Sequence, residues 1–300
     1  MLPAVGMKTH TILLLVLGLL PLHTFATEVD DTTNYYENIK DSEDALNAMV
    51  QKQIDAARAE YFGCDLKIFG KRAASYLTGN LFYGAIEAKV NESLTLDKRT
   101  IAVQDSIYHG TPYEKSVVGR LFPLASVVNI NGIHLGSDKI GHFMDMGYEL
   151  FNMRKDGESL AGLVARARHE QQGLWGMSMT GVKSYGDMSA NFDGYRFWQD
   201  MLGATANPYF VCADGGLKQV RQFRWSDYVS AAWSEATNCS AYSSPDYKTG
   251  MALIIAPLEK RDGRRYQCPI EQSRCPIIRK TYSQWLSPED VEVLISPDCR

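Results

Sequence analysis

Three short polar clusters follow one another in mid-chain: Asp138-Lys139-x-x-His142-Phe143, His169-Glu170-Gln171-Gln172 and Asp187-x-x-x-Asn191-x-x-Gly194. Their residue types suit proton transfer. They supply an imidazole that titrates near neutrality, carboxylates that orient it or exchange protons with it, and an amide that holds a partner in place. Carboxylates striped around a histidine could equally bind a divalent metal. A buried carboxylate or amide costs about 1–3 kcal/mol when unsatisfied, and more as an unpaired charge. A sequence that places several such groups in succession on otherwise apolar helix faces is expected to bring them together. In such a site His142 is the candidate general base or metal ligand, Asp138 its orienter and Glu170 a second acid/base or ligand. Asp187 and Asn191 form the positioning pair, and Lys139 belongs to the same candidate set. No motif names a cofactor, and the residues leave open whether a metal is held.

Three helices separated by glycines must carry these groups. The pattern predicts the first from a Ser137 cap to about Lys155, the second over about Ser159–Gln172 and the third over about Gly186–Leu202. At the helical period, Asp187, Asn191, Gly194 and Trp198 of the third share one arc, with Ser189, Asp193, Arg196 and Asp200 opposite. Asp187 and Asn191 are therefore expected on the core side, where Gly194 lets another helix approach closely. On the second, Leu160, Leu163, Val164 and Ala167 define a buried arc that Glu170 and Gln171 continue, while Arg166, Arg168 and His169 point elsewhere. On the first, Asp138, His142, Asp145 and Glu149 lie opposite Ile140, Phe143, Gly147, Leu150 and Phe151. Plainer readings stand beside these. Asp138 in a first turn complements the helix dipole, a charged stripe opposite a core is often solvated, and Asp187 and Asn191 can serve as a cap and a core amide. Gly173 stands where a zincin needs its second histidine, and there is no phosphate loop, dinucleotide fingerprint, calcium loop or nucleophile elbow.

Around these helices the fold class reads as mainly α, a helical body over 27–204 with a disulfide-stapled C-terminal extension over 205–300. Residues 1–26 read as a signal peptide, an apolar run from Thr11 to Leu22 ending at Thr24-Phe25-Ala26, with retention as a membrane anchor the alternative. Six cysteines after such a segment point to disulfides in an oxidising compartment. Of the possible pairings only Cys268 with Cys275 is suggested by spacing. Residues 27–41 read as a loose acidic lead, and Ser42 starts an amphipathic helix to about Tyr61. Over 65–130 the choice between helix and strand is ambiguous, although Leu81-Phe82-Tyr83 and Ser116 to Val128 look buried. A helix is expected from Ser226 to about Thr237, with Trp233 on its buried side. A net charge of −4 is too mild to imply nucleic acid as a partner.

The order Asp138-Lys139-x-x-His142-Phe143, Glu170 with Gln171 or Gln172, then Asp187, Asn191 and Gly194 resembles the VanZ-like family and other small bacterial envelope proteins that begin D-K-x-x-H-F. The likeness spans Asp138 to Gly194 only. Members of that family cross the membrane several times, whereas these helices carry too many charges to do so. The resemblance implies a shared polar cluster, a cell-envelope setting in the periplasm or outside the cell, and an envelope component or small molecule as partner. As an enzyme the protein would be a hydrolase acting on an envelope component. The alternative is a non-catalytic structural or binding protein whose polar groups form a buried hydrogen-bond network.

Overall fold

Polar first turns and apolar spacing set where the helices begin. The computed structural model describes residues 28–79, 84–115, 124–173, 176–203 and 205–299. Helix α1 (Glu43–Ala59) buries Leu46, Val50, Ile54 and Ala57. The ambiguous stretch resolves into α2 (Leu66–Leu77), capped by Asp65, then α3 (Ala85–Glu92), the single turn α4 (Pro112–Lys115) and a hairpin of β1 (Val127–Ile130) and β2 (Ile133–Gly136). Leu124 to Val128 are buried as expected, while Leu81-Phe82-Tyr83 and the start of the second stretch lie outside the described residues, as does the expected signal peptide.

The three helices of the polar clusters form close to their expected bounds: α5 (Asp138–Lys155), α6 (Leu160–Gln172) and, after the single turn α7 (Met177–Thr180) and β3 (Val182–Lys183), α8 (Tyr185–Leu202). Contacts between α5 and α8 advance together along both chains, from Lys139 beside Gly186 and His142 beside Asn191 to Met144 beside Trp198. The two helices therefore run parallel, and their N-terminal ends meet. Glycines allow this approach. A Cβ on Gly147 would come within 2.5 Å of the Gly194 backbone, and one on Gly194 would overlap the Phe143 carbonyl oxygen. Beside the crossing, the Phe143 ring packs 5.0–5.4 Å from Phe197, Trp225, Tyr228 and Trp233.

Those last three aromatic residues come from the C-terminal region, which comprises the hairpin β4 (Phe210–Ala213) and β5 (Gly216–Gln219), the short strand β6 (Ala241–Tyr242) paired with β3, and helices α9 (Pro245–Asp262), α10 (Cys275–Tyr282) and α11 (Pro288–Leu294). It shares one apolar core with the helical body. This changes the reading of α8. Ser189 and Asp193, expected on its outward arc, are buried, because Asp193 accepts from Trp233 Nε1 (2.9 Å) and Tyr282 Oη (2.6 Å), and Ser189 Oγ donates to Leu294 O. The helix expected over Ser226–Thr237 does not form. Two 3-10 turns, Trp225–Asp227 and Ala231–Trp233, stand there, since the Ser230 hydroxyl takes the Ala232 N–H and Asp31 takes that of Glu235. Trp233 is buried all the same. The loose N-terminal lead is also corrected. Glu28 to Asn34 are all buried, with Asp30 accepting from the backbone of Thr32, Thr33 and Ile107.

All six cysteines are paired, as Cys64–Cys212, Cys239–Cys268 and Cys275–Cys299. The expected Cys268–Cys275 bridge does not occur, because a 3-10 turn (Gln272–Arg274) leads directly into α10 and each cysteine faces a partner from another segment. The bridges fit an oxidising compartment. No helix of the described residues is long and apolar enough to cross a membrane.

Two outcomes are expected. Gly194→Ala should force α5 and α8 apart and lower stability by about 3 kcal/mol, read as a fall in the unfolding midpoint; an unchanged midpoint would show that the crossing relaxes freely. Cys64→Ser with Cys212→Ser, which opens the longest loop at a separation of 148 residues, should cost about 3–5 kcal/mol, more than loss of either other bridge. Equal losses from all three pairs would count against the loop-length argument.

Candidate functional site

Because α5 and α8 are parallel, their first turns bring Asp138 and Asp187 together at the positive ends of both helix dipoles. Between them lies the Lys139 ammonium, 1% exposed. Its Nζ is 2.8 Å from Asp138 Oδ2, 2.7 Å from Asp187 Oδ1 and 2.6 Å from Glu235 Oε1. Burial opposes the charge on Lys139, but the three carboxylates hold its pKa well above the usual lysine value. Ser184 fastens the group further. Its hydroxyl caps α8 by accepting the Asp187 N–H and lies 2.9 Å from Asp187 Oδ1 and 2.7 Å from Glu235 Oε1. Ser240 Oγ donates to the other Glu235 oxygen.

Asp187 links this ammonium to the imidazole. Its Oδ2 lies 3.1 Å from His142 Nε2 and accepts from Gln171 Nε2 at 2.7 Å. Gln171 Nε2 also reaches Glu170 Oε2 at 3.0 Å, and its Oε1 accepts the Ser184 N–H. His142 Nδ1 is 3.1 Å from Asn191 Oδ1. Both ring nitrogens thus face oxygens, the arrangement of an imidazolium. Burial works against that charge, but Asp187 outweighs it and raises the His142 pKa well above 6.5. For Asp187, burial alone would raise the pKa, yet His142 and Lys139 hold it well below the carboxylate range. Asn191 is fully buried and its Nδ2 has no partner among the described residues. A half-turn of this amide would present Nδ2–H to an unprotonated Nδ1, so Asn191 can accompany His142 through either protonation state.

A second ring of acids surrounds this core. Burial lifts Asp145, one turn beyond His142, to about 6, and raises Glu170 as well. Asp145 Oδ1 accepts the Gly79 N–H at 2.6 Å. Glu87, whose Oε1 is buried without a partner, is raised by burial and by Asp138. On the other side Glu28 receives the Tyr108 hydroxyl at 2.8 Å, and Asp31 binds the Glu235 N–H. Burial pushes both well above the carboxylate range, assisted by neighbouring acids (Asp187, Glu235 and Asp138 for Glu28, Glu235 for Asp31).

The three sequence clusters therefore meet. His142, Asp187, Asn191, Gln171 and Glu170 form one hydrogen-bonded chain, and Asp138 and Lys139 join it through Asp187. One expected contact differs: the carboxylate bonded to His142 is Asp187, while Asp138, expected as the orienter, holds Lys139. Helix geometry explains the change, since the parallel α8 places Asp187 between Lys139 and His142. Sequence reasoning missed Glu235, Glu28, Asp31, Glu87 and Ser184. The available signal was Lys139 itself: a lysine adjoining a buried arc requires counter-charges beyond the single neighbouring aspartate. Asp138, Asp187 and Glu235 offer oxygens close enough to hold a metal ion, but the Lys139 ammonium stands among them, and a metal would have to displace it.

The exposed part of the network is narrow. The His142 side chain is 20% exposed against 6% for Asp187 and 3% for Glu235, and Glu170 and Asp145 are half-buried. No family model matches this chain, nor does any curated protein or solved structure.

The shifts fix a pH dependence of stability. Asp187, depressed in the fold, contributes stability that is present above about pH 4 and lost as pH falls through its folded value. His142, raised in the fold, contributes stability fully present below about 6.5 and lost as pH rises through its higher folded value. Asp145, Glu170, Glu87, Glu28 and Asp31 act oppositely to Asp187. The fold holds each above its unfolded pKa, so each costs stability as pH rises above about 4, Asp145 through about 6. Urea unfolding from pH 4 to 9 is expected to show a maximum between about pH 4 and 6 and a decline above it. A maximum at pH 8 would contradict this assignment.

Proposed function

We propose that this is an exported bacterial envelope protein and that the half-open edge of its polar centre, His142 with Glu170, is a hydrolytic acid–base site acting on an envelope component. What supports the reading most is where exposure falls: the imidazole and Glu170 are partly exposed in a network whose anchoring groups are enclosed. In this scheme Asp187 orients the imidazolium through Nε2, and Nδ1 exchanges its proton after parting from Asn191 Oδ1. Glu170 has one oxygen bonded to Gln171 and takes a proton from the attacking water through the other. His142 then gives its Nδ1 proton to the leaving group, and Asn191 turns its amide to follow the change. The proton taken up by Glu170 then returns to His142 through solvent, with Asp145, its pKa near 6, able to relay it. The sequence resemblance to VanZ-like envelope proteins and the paired cysteines support the setting.

A second reading, a non-catalytic protein stabilised by the same network, draws on a separate observation. Both His142 nitrogens and the Lys139 ammonium already have protein partners. Incubation with isolated cell-wall sacculi and with envelope lipid extract, followed by assay of soluble products, separates the two. Under the hydrolytic reading the parent releases product, and His142→Ala or Glu170→Gln cuts the rate by about 100-fold or more, with the unfolding midpoint barely moved in Glu170→Gln. Under the structural reading there is no turnover, and the same changes cost about 2–5 kcal/mol. Lys139→Met should destabilise under both, because it leaves three buried carboxylates without their cation.

A further inference from the structure

A groove of about 640 Å³ lies away from the polar centre, where the C-terminal ends of α5 and α8 meet the start of α2. That volume falls within the range of small-ligand clefts. Tyr148, Phe151 and Tyr195 supply aromatic surface to it, and Asn152 and Gln199 set carboxamides among the rings. Lys67, Lys71, Arg154 and Lys155 add four cations, and no carboxylate lines the groove among the described residues. Helix α2 is held against α8 at this point by Gly70, where a Cβ would come within 2.6 Å of Leu202.

The cations need an explanation that the fold does not supply. Arg154 and Lys155 occupy the last turn of α5, where the helix dipole favours positive charge. Lys67 is different. It stands in the first turn of α2, where the dipole opposes a cation, and Lys71 repeats the charge four residues on, a spacing at which like charges repel. Of the acids nearby, Asp65 spends a carboxylate oxygen on the Lys67 and Ile68 N–H groups as the cap of α2, and Glu60 is engaged with Arg72 and Tyr76. Neither Lys67 nor Lys71 forms an ion pair among the described residues, whereas Arg72 between them does. Four gathered cations that form no ion pair among the described residues favour an anionic occupant.

The rest of the lining narrows the class. Aromatic faces are negative and attract the C–H faces of sugar rings, and carboxamides offer a donor and an acceptor to neighbouring hydroxyls. An acyl chain laid in the same groove would strip water from Asn152 and Gln199 without replacing their hydrogen bonds. We propose that this groove binds an anionic sugar chain, its rings against Tyr148 and Tyr195 and its carboxylate or phosphate groups between the lysines of α2 and the basic end of α5. The site does not depend on the hydrolytic reading, since Tyr148 lies six residues, about 9 Å of helix, beyond His142.

The full chain is to be titrated calorimetrically with trigalacturonate, with neutral galactotriose and with vesicles of phosphatidylglycerol and phosphatidylcholine. Saturable binding of trigalacturonate is expected, at least about tenfold tighter than the neutral sugar and weakened by raising salt from about 0.05 to 0.5 M. Lys67→Glu with Lys71→Glu, at exposed positions, should weaken it by about tenfold or more with an unchanged unfolding midpoint, and Tyr148→Ala should weaken both sugars. Absence of binding, equal affinity for the neutral sugar, or insensitivity to the lysine changes would overturn the proposal. So would displacement by inorganic phosphate at equal concentration, which marks a simple ion site, or binding to vesicles alone, which marks a lipid surface.

Discussion

Placing one lysine ammonium out of water is the constraint to which much of this structure answers. Lys139 is enclosed, and an uncompensated charge there would cost several kcal/mol. Three carboxylates compensate it, one from each of α5, α8 and the segment after the 3-10 turns, so the charge dictates that these elements meet. The compensation overshoots, with three acids around one base. The surplus is spread outward through Asp187 to His142, and burial raises the pKa of the remaining enclosed acids, Glu28, Asp31 and Glu87, which opposes added negative charge. The imidazole at the open edge thus owes its raised pKa to Asp187, the carboxylate that Lys139 also holds, while burial raises the carboxyls of Asp145 and Glu170.

The close approach of α5 and α8 serves the same end. Without side chains at Gly147 and Gly194 the helices touch backbone to backbone, and this leaves the first turns near enough for one ammonium to bridge Asp138 and Asp187. Larger residues at the crossing would splay the helix starts and lengthen every contact in the centre. Aromatic rings from the C-terminal region then fill the space beside the crossing, so the region after residue 204 completes the core as well as the charge balance.

The helices of the site were legible in the sequence because each carries an apolar stripe and a terminal glycine; a serine caps α6 and α8, whereas Ser137, expected to cap α5, gives its hydroxyl to Asn91 instead. Inward placement of Asp187, Asn191 and Gln171 followed from helical periodicity, and so did the close approach at Gly194. What could not be read depended on partners distant in the chain. Glu235 lies 96 residues from Lys139 and sits in a segment whose composition favours a helix that neighbouring hydroxyl and carboxylate groups prevent. Ser189 and Asp193 looked solvent-facing because periodicity describes one helix and says nothing of a second layer covering its other side. The disulfide pairing failed for a related reason: proximity in sequence favoured Cys268 with Cys275, while their partners are set by tertiary packing.

The buried N-terminal stretch carries a consequence for how the molecule assembles. Asp31 bonds the backbone of Glu235 across 204 residues, and Tyr36 reaches the carbonyl of Arg265 across 229. Contacts this distant give the topology a high contact order, and closing such loops comes late and slowly. A chain emerging from its N-terminus can form α1, α2 and the α5–α8 crossing early, but Lys139 then lacks one of its three acids until about residue 240 has been delivered. Until then the partly folded protein holds an incompletely neutralised centre and an uncovered aromatic face, the conditions under which chains associate with one another. Its period of greatest exposure to aggregation therefore falls at the end of its synthesis, when the last quarter of the chain closes over the first.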